Sequence, residues 1–211
     1  MRSLTQAQDT LLITKHTTFL SAPIVTLNGK FGKRAGGKNR LIMTRVIGIC
    51  SAKGGVGKTT VAINLALVLA KFFKKKVLLI DFNLTAPHIS SYLGIIPQKT
   101  INKFLRENVS INECLENYFF NIKLLLASEK LEDLIGVELK KLRKGIEEVK
   151  KEFDFIILDL APGIGREAAN GILASDELII VSTPELPTFL DVLRVRDVVK
   201  TLGKRINGVV L

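Results

Sequence analysis

Residues Lys53 to Thr60 read Lys-Gly-Gly-Val-Gly-Lys-Thr-Thr. Gly54, Gly55 and Gly57 let the backbone enter conformations closed to residues with a Cβ, so several N–H groups can turn into one anion-sized hollow. Lys58 adds a mobile ammonium for β and γ phosphates and Thr59 a hydroxyl for a bound Mg²⁺. The helix that starts there adds the positive end of its dipole. Val56 and Thr60 complete the expected phosphate-binding set of residues 53–60. The loop carries weight only between a strand and a helix, and both are legible. Arg45–Cys50 is a short apolar run and Val61–Phe73 an apolar run of helical period. A plain glycine-rich turn would not explain two lysines beside the glycines with no acid to offset them.

Two further strands complete the expected site. Lys76-Val-Leu-Leu-Ile-Asp81 and Phe153-Asp-Phe-Ile-Ile-Leu-Asp159 are continuous apolar runs that end in a carboxylate. Such runs suit parallel strands buried on both faces, and ligands gather outside their carboxyl ends. Asp81, Asp159 and the glycine loop are therefore expected to converge, with Asp159 holding Mg²⁺ through a water. The alternative, in which both acids only cap the following turns, is the less favoured reading.

The remaining pattern predicts short helices near 88–94 and 100–117, a strand over 119–126 and a charged helix over 131–151. Helix 165–174, strand 177–182, helix 188–202 and strand 206–211 follow. This alternation predicts an α/β three-layer sandwich, a mainly parallel sheet with helices on both faces. In the charged helix, Lys140, Lys141, Arg143, Lys144, Glu147, Glu148, Lys150 and Lys151 read as a solvated face with opposite charges three or four apart. His88, beside Pro87, reads as a helix-start residue.

Taken together these segments resemble the MinD/ParA family of P-loop ATPases, especially MinD-like proteins found mainly in archaea. The extra lysine, Lys53, is similar to the mark of that family's deviant Walker A motif. Leu79-Ile-Asp-Phe-Asn-Leu-Thr-Ala-Pro-His88 resembles the second-strand motif, Leu158–Ala168 the Walker B segment, and Val181–Pro187 a later strand end. The resemblance covers residues 43–211. It implies the P-loop NTPase fold and a cytoplasmic ATPase using ATP and Mg²⁺ that dimerises around two ATP molecules, with Lys53 reaching the partner's nucleotide. It also implies an activating protein and a role in cell-division or other intracellular positioning. A ParA-like ATPase that coats DNA is the alternative, as is a regulatory module that binds ATP with little hydrolysis. The family's Asp-x-Asp is here Asp81-Phe-Asn83, so the water-positioning place holds an amide. An amide accepts a hydrogen bond but adds no negative charge, and slow hydrolysis is expected.

Residues 1–42 are expected to be an extension outside the domain, disordered or preceding a true start at Met43. They hold Arg2, Lys15, Lys30, Lys33, Arg34, Lys38 and Arg40 against Asp9, about +6 of the formal +11. That surplus could attract nucleic acid or an anionic membrane, but no nucleic-acid motif accompanies it. At the far end Arg205–Leu211 reads as one more core strand. Resembling proteins continue with an adenine-contacting turn, further helices and a membrane-binding amphipathic helix. A domain of residues 43–211 without that C-terminal part is expected, with an incomplete adenine pocket and without the usual means of membrane attachment. No run reaches the roughly 18 to 20 apolar residues that would span a bilayer. Cys50 and Cys114 lack Cys-x-x-Cys spacing and read as buried free thiols.

Overall fold

The computed structural model describes residues 43–211; the expectations for residues 1–42 lie outside them. The chain runs β1 (Arg45–Cys50), α1 (Lys58–Lys71), β2 (Val77–Phe82), α2 (Ile89–Leu93), α3 (Ile101–Arg106), β3 (Glu116–Asn117) and β4 (Ile122–Leu125). It continues through α4 (Lys141–Val149), β5 (Phe155–Leu160), α5 (Arg166–Ala174), β6 (Glu177–Val181), α6 (Leu186–Thr201) and β7 (Arg205–Val210).

These strands form one sheet in the order β3-β4-β2-β5-β1-β6-β7. All pairs are parallel except β3 with β4, a short hairpin at the edge. The continuous apolar strands require cover on both faces, and the alternation of β2 shows how it is given. Val77 and Leu79 face the layer of Ala62, Ile63, Ala66 and Ala70 on α1. Leu78, Ile80 and Phe82 face the opposite layer, with Phe104 of α3, Ile146 of α4, Ile172 of α5 and Val195 of α6. The alanines at i, i+4 and i+8 let α1 approach the sheet closely. On the other face Gly171 does the same for α5, since a Cβ there would stand 2.4 Å from Leu160.

Three segments differ from the sequence expectation. The predicted helix 131–151 is a 3₁₀ turn (Leu131–Leu134), a break, α4, and a second 3₁₀ turn (Lys150–Glu152). Gly136 takes a left-handed conformation (φ +78°), and Glu138 N–H donates to Leu105 C=O, so the chain docks on α3 in place of continuing the helix. The predicted helix 100–117 ends at Arg106. Ser110 and Glu113 then form a capping box for a 3₁₀ turn, Ile111–Cys114. The predicted strand 119–126 is only Ile122–Leu125, because Phe119–Asn121 belong to the hairpin turn. Elsewhere the expected elements stand at their expected places, and α1 begins three residues before the apolar run, at Lys58. His88 is the N-cap of α2, and Cys50 and Cys114 are buried free thiols. Among the described residues no helix is long and apolar enough to cross a membrane.

Candidate phosphate-binding site

The ends of β1, β2 and β5 meet because these strands are neighbours through β5, in the order β2-β5-β1. The loop after β1 opens into a cleft of about 1920 Å³ lined by residues 54–61, Asn83, Pro162, Glu167 and Ser182–Pro184. Gly55 and Gly57 hold φ of +75° and +97°, and nothing lies within 4 Å of where a Cβ would stand on Gly54, Gly55 or Gly57. The hollow is thus bounded by backbone and open to a ligand. Ser51 Oγ donates to Lys53 C=O (2.6 Å) and Gly163 N–H to Ser51 C=O (2.8 Å), which fastens the loop to the segment after β5.

Within it, Thr59 Oγ1 donates to Asp159 Oδ2 at 2.6 Å. The other oxygen, Asp159 Oδ1, is buried with no hydrogen-bond partner. Burial pushes the Asp159 carboxyl above its ordinary range, opposed by the Thr59 hydroxyl and the Lys58 charge. Lys58 is only 6% exposed. Burial lowers its pKa, and the charge of Asp159 opposes the shift most strongly. Uncapped carboxylate oxygen, buried ammonium and open N–H loop are the donor set that a phosphate-bound divalent cation requires. Thr59 and Asp159 therefore fit Mg²⁺, and residues 54–60 fit the phosphates, whereas the expected place of Lys53 among them is not seen in this structure.

Asp81 lies beside Asp159 in the register of β2 on β5, so both side chains share one face. It is fully buried and accepts the backbone N–H groups of Asn83 (3.2 Å), His88 (3.1 Å) and Ile89 (3.1 Å). Desolvation, with the nearby Asp159 charge, pushes its pKa up to about 7 against those three donors. Its contacts shape the loop between β2 and α2. Asn83 sits in that loop with its amide Nδ2 donating to Ala86 C=O, which leaves Oδ1 as its acceptor.

The contacts of two side chains, Glu167 and Lys53, were not legible in the sequence. Glu167, on the first turn of α5, accepts from Leu84 N–H and from Thr85 Oγ1 (2.9 Å). It thereby ties the Asn83 loop to the segment after β5. An acid in a first helical turn is ordinary dipole chemistry, and nothing in its spacing points to residue 84. Lys53 Nζ stands 3.4 Å from Asp191 of α6, and neither residue lines the cleft.

The AAA domain family model AAA_31 matches residues 44–210. The chain belongs to this family, in its MinD/ParA branch of P-loop ATPases. It is 32% identical over 167 residues to an uncharacterized ATP-binding protein of Methanocaldococcus jannaschii, covering 79% of this chain and 63% of that protein. It is 38% identical over 146 residues to the chromosome-partitioning ATPase Soj of Treponema pallidum, covering 65% and 56%. Among solved structures, septum site-determining protein MinD of Pyrococcus horikoshii, complexed with Mg-ADP, superimposes with a TM-score of 0.75 at 33% identity, covering 79% of this chain and 69% of that one. The three-layer fold is thus that of MinD-type P-loop NTPases. The chain spans less than two thirds of the length of either curated relative.

Proposed function

We propose that this chain is an ATP-dependent switch that binds MgATP in the cleft, dimerises on it, and is reset by slow hydrolysis. The observation that carries the reading is the unpartnered Asp159 Oδ1 beside the Thr59 hydroxyl and the buried Lys58 ammonium, under an open glycine loop. The N–H groups of residues 54–60 bind the phosphate oxygens, and Lys58 neutralises charge on the β and γ groups. Thr59 and Asp159 would hold a divalent cation, which would supply further neutralisation of phosphate charge. Water attacks the γ phosphorus as the bond from that phosphorus to the β–γ bridging oxygen breaks, leaving ADP and inorganic phosphate, with the water's proton passing to phosphate or solvent. Asn83 orients the water by accepting a hydrogen bond at Oδ1, without the negative charge of a carboxylate, and this makes turnover slow. Lys53 leaves Asp191 to reach the partner's nucleotide, in the manner of a cation supplied in trans.

The reading extends to a cytoplasmic role in positioning, such as that of the division site, with an activating protein as partner. Binding and hydrolysis by the native chain beside Lys58→Ala and Asn83→Asp, with molecular size measured with and without ATP, test it. Retained binding and size change in Lys58→Ala would refute the assigned site. The surplus of basic charge, +11 overall, favours one second reading, a ParA-like partition ATPase. DNA retardation that needs ATP and weakens with salt distinguishes it. Single-turnover hydrolysis distinguishes the enzyme from a module that only senses ATP.

A further inference from the structure

The amino ends of β2 and β4 carry a surface that the ATP reading does not use. Two turns meet there, residues 72–76 before β2 and 118–121 before β4, joined by Val77 N–H donating to Asn121 C=O (2.9 Å). They expose four phenylalanines: Phe72 (69%), Phe73 (63%), Phe119 (45%) and Phe120 (48%). Lys71 Nζ lies 5.9 Å from the ring centre of Phe72 and 5.3 Å from that of Phe120, which draws the turns into one patch.

Each turn holds a residue in a conformation that penalises a Cβ. Among the described residues only Lys74 (φ +53°) and Phe120 (φ +59°) are left-handed without being glycine. Lys74 closes the end of α1, where Lys75 N–H donates to Leu69 C=O (3.0 Å), and Phe120 turns the β3–β4 hairpin, so both rings and lysines stand on defined turns. The charge is one-sided. Residues 71–76 include Lys71, Lys74, Lys75 and Lys76 with no acid. Of the nearest acids, Asp154 is taken by Lys75 (3.8 Å) and Glu152 by Lys123 (3.9 Å). Residues 1–42 carry the same sign, so charge opposes their docking here.

We propose that this patch is a membrane-contacting surface that inserts Phe72, Phe73, Phe119 and Phe120 at the headgroup boundary of an anionic bilayer, with the lysines against lipid phosphates. A bilayer is favoured over single-stranded nucleic acid because the rings stand on protruding turns, whereas bases stack along a basic groove. The length of β2 separates this end from the phosphate site by roughly 17 Å, so attachment leaves the ATP cleft open.

The test is flotation of the full chain with vesicles of phosphatidylcholine alone or mixed with phosphatidylglycerol. Binding to the anionic vesicles is expected, weakened at least about tenfold in Phe119→Ser/Phe120→Ser and in Phe72→Ser/Phe73→Ser, and retained in Lys58→Ala, which separates it from the ATP reading. The chain has no tryptophan, so Phe120→Trp gives a single reporter whose emission shifts to the blue and is quenched by brominated lipid. Vesicle binding unchanged by both serine pairs, or a Phe120→Trp emission that anionic vesicles do not move, overturns the proposal. So does a loss confined to oligonucleotide binding, or a lipid-free dimer that the serine pairs abolish.

Discussion

Glu167 of α5 and Thr85 of the loop after β2 are joined by a 2.9 Å hydrogen bond, and the same carboxylate accepts the neighbouring Leu84 N–H. One side chain thus couples the segment bearing Asp159 to the segment bearing Asn83. Removing it in Glu167→Ala is expected to lower kcat about 10- to 100-fold with little change in KM, because a misplaced water affects the step after binding. Glu167→Gln, which keeps an acceptor oxygen, should recover part of the loss. Steady-state kinetics of both variants, with nucleotide affinity measured separately, checks this.

Asn83→Asp sets two effects against each other. A carboxylate adds charge near the water and should raise turnover by roughly tenfold. It cannot donate to Ala86 C=O as the Asn83 amide does, so the loop loses about 1 kcal/mol and Tm falls by a few degrees. Parallel calorimetry and phosphate release resolve both; turnover no faster than native would count against Asn83 as the cause of slow hydrolysis.

The pair Lys53–Asp191 is half exposed on the lysine side, 47% against 24% for the aspartate. Such a pair contributes little to stability, so Asp191→Asn should change unfolding free energy by less than about 0.5 kcal/mol. It should nonetheless raise the fraction of ATP-induced dimer, since Lys53 is no longer held on its own protomer. Sedimentation with ATP and with ADP measures the difference.

Glu177 joins three strands at their amino ends. Its carboxylate pairs with Arg45 of β1 and accepts from Arg205 of β7 at 2.7 Å. Burial alone would raise its pKa, but the hydrogen bonds and positive charge around it outweigh burial and hold it below the ordinary 4.5. The folded state therefore binds this proton less readily than the unfolded chain. The stabilisation is complete above pH 4.5 and disappears as pH falls through the lower folded value. Glu177→Gln should cost about 1 to 3 kcal/mol at neutral pH and progressively less below pH 4.5. Urea unfolding across that range checks the sign.

Much of the site was legible because its chemistry is local. A phosphate hollow needs glycines, lysine and threonine within one turn of chain, and the apolar runs ending in Asp81 and Asp159 announce buried parallel strands. The contacts made by Glu167 and Asp191 were not legible, since each depends on which helix packs beside which loop. The same limit applies to helix boundaries. Charge periodicity over 131–151 suits a helix, yet Gly136 and the docking of Glu138 on Leu105 divide it.

The sequence by itself determined the glycine loop, the succession of apolar runs along the chain and the family, because these rest on residue type at short spacing, while their order in the sheet came from the structure. Only the tertiary structure decided that Asp81 is enclosed by three backbone donors, that one oxygen of Asp159 is left free, and that four phenylalanines share a basic surface. Those are properties of burial and of contacts between distant segments, which the packing of both layers on the sheet creates and no local pattern encodes.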